Sequence, residues 1–413
     1  MDKPLTPSRR KLLKLGASSL AALSLGPSLL SLSLPVNARS LAEIGPLLPP
    51  DRLGIRLPKG FSARLVAESG KPASSGGTAE PWHIFPDGGA TFPSGEGGWI
   101  YVSNSETSAG TGGGVSALRF NAQGGVVDNY RILAGTNRNC AGGPTPWQSW
   151  LSCEEVDFGR VFECDPEGRT PAVARPALGY FKHEAVAVDP VHGHIYLTED
   201  ETDGRFYRYV PHGQDGPGSM AGKLNLSAGR LQVAVVGAAG QLSWIDLPNP
   251  APSAGPASTP RGTASQLPTR YQIAASTPFN GGEGIWYHGG NIYFTTKGDN
   301  RVWHLDIEAN RLAIVYDAAT AADPLLTGVD NITVSAGGDL LVAEDGGDMQ
   351  IVVIDAAGKL APLLQIVGQD QSEITGPAFS PDGSRLYFSS QRGGVKNLGL
   401  TYEVTGPFAQ FFA

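Results

Sequence analysis

Glu283-Gly-Ile-Trp-Tyr-His-Gly-Gly-Asn-Ile-Tyr-Phe-Thr-Thr-Lys297 leads into Asn300-Arg-Val-Trp-His-Leu305. Apolar residues flank a Gly-Gly-Asn turn, the pattern of two short strands joined by a hairpin and followed by a third. The unit recurs. Asp330-Asn-Ile-Thr-Val-Ser-Ala-Gly-Gly-Asp-Leu-Leu-Val-Ala-Glu344-Asp345 leads into Gln350-Ile-Val-Val-Ile354, and Gly376-Pro-Ala-Phe-Ser-Pro-Asp-Gly-Ser-Arg-Leu-Tyr-Phe-Ser-Ser390 is a further copy. Upstream, Glu184-Ala-Val-Ala-Val-Asp-Pro-Val-His-Gly-His-Ile-Tyr-Leu-Thr-Glu199-Asp200 leads into Gly204-Arg-Phe-Tyr-Arg-Tyr209. The starts at Glu283, Asp330 and Gly376 lie 47 and 46 residues apart. A strand–turn–strand–turn–strand unit of that period marks a β-propeller blade.

The rest of the chain agrees. Its 413 residues include 55 Gly and 32 Pro, only 17% are charged, and no long helical periodicity is present, so the class is all-β. Glu184 to Glu283 spans 99 residues, about two periods, and Pro211–Gln266 reads as a degenerate blade with a long insertion, covering about 211–270. Trp99–Glu106 and Trp147–Glu155 read as the inner strands of two more blades. The sum is about six blades, with five or seven also compatible with the spacing. Phe61–Glu68 paired with Thr401–Phe408 would close the ring and remove exposed edges. Residues 39–60 then form an extended lead-in, and 61–413 a single propeller domain.

Residues 1–38 read as an export signal. Ser8-Arg9-Arg10-Lys11 is a twin-arginine start, the run from Leu15 to Leu34 is apolar, and Val36-Asn37-Ala38 offers small residues for cleavage. The expectation is a bacterial protein carried folded by the Tat translocase to the periplasm or beyond, with no stable membrane span after cleavage. The segment carries Lys3, Arg9, Arg10, Lys11 and Lys14 against Asp2, so its removal takes the net charge from −8 to −12. An acidic surface disfavours nucleic acid and anionic membranes and suits cation binding. A phosphate ester would be repelled at long range unless bound metal inverted the local field.

In a propeller the innermost strand of each blade lines a central channel, so equivalent repeat positions face one another. Glu184, Glu283 and Asp330 each open an inner strand, while Glu154, Glu155, Asn104 and Glu106 lie at strand ends. Carboxylates gathered in such a channel either take up protons or bind cations. Asn139-Cys140-Ala-Gly-Gly-Pro-Thr-Pro-Trp-Gln-Ser-Trp-Leu-Ser-Cys153-Glu154-Glu155 adds a thiol to this set. Thiolate suits iron, zinc or copper, and carboxylate suits iron or calcium. Three cysteines leave at least one unpaired; Cys153 with Cys164 is the pairing suggested by proximity, with Cys140 free. No serine-hydrolase elbow, phosphate-binding loop or dinucleotide fingerprint is present, and the one H-x-H pair, His192-Gly193-His194, falls in an expected hairpin turn and reads as exposed.

Asn139–Glu155, His183-Glu184-Ala-Val with Tyr196-Leu-Thr-Glu-Asp200 and Phe206-Tyr-Arg-Tyr209, Phe379-Ser-Pro-Asp-Gly383 and the signal segment together resemble the PhoX family of Tat-exported alkaline phosphatases. The likeness runs from about Trp82 to the C-terminus. It implies a six-bladed propeller with two irons and several Ca²⁺ ions in the channel, and phosphate monoesters as substrates. Cys140, Glu155, Glu184 and Glu283 match its iron-ligand motifs and so its catalytic residues. Glu154, Asn104, Glu106, Asp330, Asn331 and Glu344 match as calcium ligands or supports of the ligands. Such a centre would stabilise the phosphoryl oxygens and supply a metal-bound oxygen nucleophile.

The chain departs from the family in two respects. It is shorter, and Phe279-Asn280-Gly281-Gly282 lacks the arginine that precedes the matching glutamate in those enzymes. Arg138, Lys182 and Lys297 are the candidates to replace it. Two other readings stay open: a calcium-dependent propeller lactonase or esterase, in which Cys140 is dispensable, and a non-catalytic metal-binding propeller. A monomer is expected.

Overall fold

The computed structural model describes residues 39–73, 80–213, 222–252, 267–322 and 324–412. The export-signal reading of 1–38 lies outside these residues, as does part of the insertion expected at 211–270.

Among the described residues the strands form six separate antiparallel sheets, the blades of a β-propeller. From the axis outward, blade I holds Pro86–Pro93, Trp99–Ser105, Gly114–Phe120 and Val126–Ala134. Blade II holds Asn139–Pro144, Trp150–Glu154, Val161–Cys164 and Val173–Ala174. Blade III holds His183–Asp189, His194–Glu199, Phe206–Pro211, Gly229–Val236 and Leu242–Asp246. Blade IV holds Gly282–His288, Asn291–Thr296, Arg301–Asp306 and Arg311–Asp317. Blade V holds Val329–Val334, Leu340–Glu344, Gln350–Ile354 and Leu360–Ile366, and blade VI holds Ile374–Phe379, Arg385–Ser390 and Leu400–Thr405.

The N-terminal segment completes the two last blades. Ser62–Glu68 is the outer strand of blade VI, with Ser62 opposite Thr405 and Leu65 opposite Tyr402. Strands from both ends of the chain thus share one sheet, which leaves the ring without an open seam. Residues 39–60 do more than lead in: Ile55–Arg56 pairs with Gln365 and Ile366 at the outer edge of blade V.

The core is divided among the gaps between blades. Residues of one blade's face pack against the next in six apolar clusters, such as Phe92, Val102 and Ile132 of blade I with Trp150 and Phe162 of blade II. Between blades III and IV the packing is aromatic: the rings of Phe206 and Phe294 stack at 4.5 Å, with Tyr196, Trp244 and Phe279 around Phe206. This follows from the strand period of two, which gives each strand a side chain for either neighbouring gap.

Three expectations are corrected. Trp99–Ser105 and Trp150–Glu154 are second strands; the innermost strands of blades I and II are Pro86–Pro93 and Asn139–Pro144. Those two carry Gly and Pro where the sequence of an ordinary strand would alternate. The reason is the crowding at the axis: a Cβ on Gly88 would sit 2.5 Å from Ala141 Cα, and one on Gly143 would sit 1.8 Å from Val186 O. The strands expected to form a separate degenerate blade at Pro211–Gln266 join blade III instead: among the described residues, Gly229–Val236 and Leu242–Asp246 pair onto it. Lastly, Cys153 and Cys164 are both free. Cys153 is opposite Val161 and Cys164 opposite Trp150, and the two thiols face different gaps, one toward blade III and one toward blade I.

Phe206 is 1% exposed. Phe206→Ala should lower unfolding free energy by about 3–5 kcal/mol in urea titration, from lost burial and an unfilled space. A loss below about 1 kcal/mol would show that the III–IV gap does not carry the packing described.

Candidate metal centre

Each innermost strand carries a β-bulge within its first five residues, where register shifts against the second strand. Bulges re-aim side chains. The second residues of the six strands are Asp87, Cys140, Glu184, Glu283, Asp330 and Thr375. A matching set directly follows the second strands: Glu106, Glu155, Asp200, Lys297, Asp345 and Gln391. These two sets meet at one end of the channel.

The strands are held in place by bonds between neighbouring blades. Asn104 Nδ2 donates to Cys140 O at 3.1 Å and Ala141 O at 2.6 Å. At equivalent positions Thr198 Oγ1 donates to Glu283 O at 2.6 Å, and Thr295 Oγ1 to Asp330 O at 2.5 Å. Asn331 Oδ1 accepts from Gly376 N at 2.8 Å, and Thr375 Oγ1 donates to Pro86 O at 2.7 Å. Each bond fixes the peptide beside a channel residue.

Among the described residues, three groups of donor atoms each gather within 4.8 Å: Cys140, Glu155 and Glu184; Glu184, Glu283 and Asp330; and Asp87, Glu106 and Glu373. The Cys140 thiol donates to Glu184 Oε1 at 3.2 Å and lies 3.5 Å from Asp87 Oδ2. Lys182 Nζ bridges Glu155 Oε1 at 3.0 Å and Asp200 Oδ2 at 2.8 Å. Lys297 Nζ bridges Asp200 Oδ2 at 3.0 Å and Glu283 Oε1 at 2.6 Å, the latter a close ion pair without hydrogen-bond alignment. On the other side, Gln391 Nε2 donates to Asp87 Oδ2 at 2.5 Å and Glu106 Oε2 at 3.1 Å.

Burial is the main electrostatic force here. It pushes the Glu184 carboxyl far above its usual range, with Glu283 and Glu155 adding repulsion. Glu283 rises for the same reason, against the pull of Lys297. Asp87 is also raised by burial, then by Glu373 and Glu106, and the Cys140 thiol is raised by burial and by Asp87 and Glu184. Burial lifts Asp330 and Glu155 to about 7 and Glu373 to about 8. Burial opposes the charge on both lysines, yet the carboxylates around Lys297 and Lys182 hold them protonated.

A cation fits this arrangement. Glu184 Oε2 is buried with no hydrogen-bond partner, and the carboxylates that resist ionisation are those a cation would let ionise. A thiol among carboxylates suits a transition metal such as iron, and the oxygen-only group of Asp87, Glu106 and Glu373 suits calcium.

The structure therefore brings together Cys140, Glu155, Glu184, Glu283 and Asp330, and sets Glu106 in the neighbouring group. The other expected residues make the following bonds. Glu154 accepts from Asn137 N and Arg160 N, and Glu344 from Thr327 N and Gln350 N, so both pin loops. Asn104 is fully used, its Oδ1 accepting from Trp150 Nε1 and Ser152 Oγ. Asn331 Nδ2 donates to Asp330 Oδ1 at 3.0 Å and so supports an acid. The sequence reading missed Asp87 and Glu373. Asp87 is followed by a small residue, as Cys140, Glu184 and Glu283 are, and that signal marks it once the first blade starts at Pro86. Among the described residues no histidine joins these groups.

Residues 103–157, 156–311 and 298–394 match the sequence model of a family described as alkaline phosphatase PhoX. A search of curated protein sequences finds no match. Among solved structures, Pseudomonas fluorescens PhoX in complex with vanadate, a transition state analogue, is 18% identical, with a TM-score of 0.69 over 87% of this chain and 97% of that one. A Bacteroides thetaiotaomicron protein of unknown function is 8% identical, with a TM-score of 0.50 over 83% of this chain and 76% of that one. A Xanthomonas campestris gluconolactonase is 14% identical, with a TM-score of 0.47 over 88% and 98%.

Stripped of metal, the folded protein holds protons on Asp330, Glu155 and Glu373 that the unfolded chain releases near pH 4 to 5. Stability should therefore fall as pH rises from about 5 to about 8, the window between unfolded and raised folded values. Added cation should restore more at pH 8 than at pH 5. Thermal melts of chelator-treated protein with and without Ca²⁺ would show this, and a melting temperature that rises toward pH 8 without metal would contradict it.

Proposed function

Because the chain belongs to the PhoX family of alkaline phosphatases, we propose that it hydrolyses phosphate monoesters at this centre, with iron held by Cys140, Glu155, Glu184 and Glu283 and calcium by Asp87, Glu106 and Glu373. The single observation that carries the reading is the convergence of a buried thiol and buried, proton-retaining carboxylates from four blades on one end of the channel. Twin arginines and the apolar run in 1–38 support Tat export to the periplasm or beyond. Among the described residues no helix is long and apolar enough to cross a membrane. We take the working form to be a monomer.

In the reaction the P–O bond to the alcohol breaks, water oxygen bonds to phosphorus, and the alcohol leaves with a proton. Bound cations would supply the positive charge that stabilises the phosphoryl oxygens. The chain's own residues do the rest. Cys140 and Glu184 present adjacent donors, and Asn104 fixes the peptide beneath them. Lys182 and Lys297 hold Asp200 between them. Lys297 also supports an answer to the missing arginine. A Cβ on Gly281, in the segment just before Glu283, would lie 3.0 Å from Lys297 Cγ, so the lysine stem lies against that segment. The cation that meets the phosphoryl dianion then comes from the neighbouring strand. A lysine serves as a point charge where an arginine would make paired bonds.

The calcium-only lactonase or esterase reading is disfavoured by Cys140, a soft donor that calcium does not use. Glu283→Gln tests the phosphatase reading. Its turnover of a phosphate monoester should fall at least about a hundredfold, with the circular dichroism of the wild type retained. Unchanged turnover would remove Glu283 from the reaction and the assignment with it.

A further inference from the structure

Beside the centre, Phe85, Glu106, Thr107, Ser108, Arg138 and Arg392 line an open recess of about 340 Å³. Glu106 belongs to the oxygen-only donor group, so this recess opens beside that group. Two guanidiniums overlook it. Arg138 Nη1 donates to Glu106 Oε1 at 3.2 Å, and Arg392 Nη2 to Glu106 Oε2 at 3.4 Å. Arg392 Nη1 also bonds Glu373, and its guanidinium lies over the Phe85 ring at 5.9 Å. A guanidinium carries five N–H donors, so these bonds leave donors on both arginines.

The recess is built with backbone cost. Phe85 and Arg138 hold φ of 48° and 44°, in the left-handed region that residues with side chains avoid. Arg138 is kept there by bonds on both sides: its N donates to Thr107 O at 2.7 Å, and its O accepts from Glu155 N at 2.8 Å. The arginine is thus tied to the ends of second strands in two blades. The lining side chains carry two positive charges and one negative, the reverse of the acidic chain as a whole.

Position gives the recess a role. Arg138 and Arg392 flank Glu106 of blade I, and Lys297 belongs to blade IV. In a ring of six, blades I and IV are opposite. An ester whose phosphoryl group faced Lys297 would have the two arginines across the channel from it.

Resting on the phosphatase reading, we propose that this recess binds the leaving alcohol and selects monoesters whose alcohol carries a second anionic group, a carboxylate or another phosphate. Arg138 and Arg392 provide charge-assisted donors for that group. Arg138 is the cleaner test, since its side chain is 61% exposed and Arg392 also holds Glu373.

The experiment compares 3-phosphoglycerate with glycerol 3-phosphate, which differ by a carboxylate in place of a hydroxymethyl group. Wild-type kcat/KM should favour 3-phosphoglycerate about tenfold, equivalent to one charge-assisted contact. Arg138→Ala should bring the ratio close to one, through KM and not kcat, and Arg138→Lys should recover part of it. Calorimetry in a Glu283→Gln background reads binding of the same two esters without relying on turnover. There the preference for 3-phosphoglycerate should again vanish with Arg138→Ala. Equal kcat/KM in the wild type, or a ratio that Arg138→Ala leaves in place, overturns the proposal while the phosphatase reading stands. If neither ester is hydrolysed the phosphatase reading falls, and equal calorimetric affinities overturn the recess as well.

Discussion

Six strands converge on one axis, and their backbones come so close that much of what lines it must be small. A Cβ on Gly88 would meet Ala141 Cα at 2.5 Å, and one on Gly284 would meet Ile332 N at 2.6 Å. Gly88, Ala141, Ala185, Gly284 and Gly376 accordingly follow the channel residues of five blades. With small residues lining the narrow axis, the larger side chains gather at its end. There the bulges aim Asp87, Cys140, Glu184, Glu283 and Asp330 at one another. The site is thus a consequence of how blades pack, and interblade bonds from Asn104, Thr198 and Thr295 hold it in register.

Burying acids together raises their proton affinity, and the two arcs of the ring relieve this differently. Around Asp200 the relief is internal, because Lys182 and Lys297 clamp its carboxylate and pull it below the usual range despite burial. Around Asp87, Cys140 and Glu184 it is not. Gln391 offers a neutral donor to Asp87, and Glu184 keeps an oxygen without a partner. Charge must come to that arc from outside as a cation, or protons must stay on it. The family to which the chain belongs and the mixed thiol and carboxylate donors point the same way.

The fold was legible wherever strands alternate. Glu283–Lys297 and Asp330–Asp345 announce their blades by period and turn, and both begin with the residue that faces the channel. It was not legible where packing overrides strand propensity. Pro86–Pro93 and Asn139–Pro144 are shaped by the backbone next to them, so the strand pattern points to Trp99–Glu106 and Trp147–Glu155 instead and passes over Asp87. Glu154 and Glu344 show a related ambiguity. An acid closing a second strand looks the same whether it faces the channel or caps a loop, and only neighbouring N–H groups decide. Glu373 precedes its strand and carries no repeat signal at all.

The central claim is that the channel end holds cations on Cys140 and the acids around it. Elemental mass spectrometry of protein purified from its native host, wild type beside Cys140→Ala, tests it most directly. The account predicts iron and calcium in the wild type, with iron lost and calcium kept when the thiol is removed. Protein free of metal, or iron that survives Cys140→Ala unchanged, would contradict it.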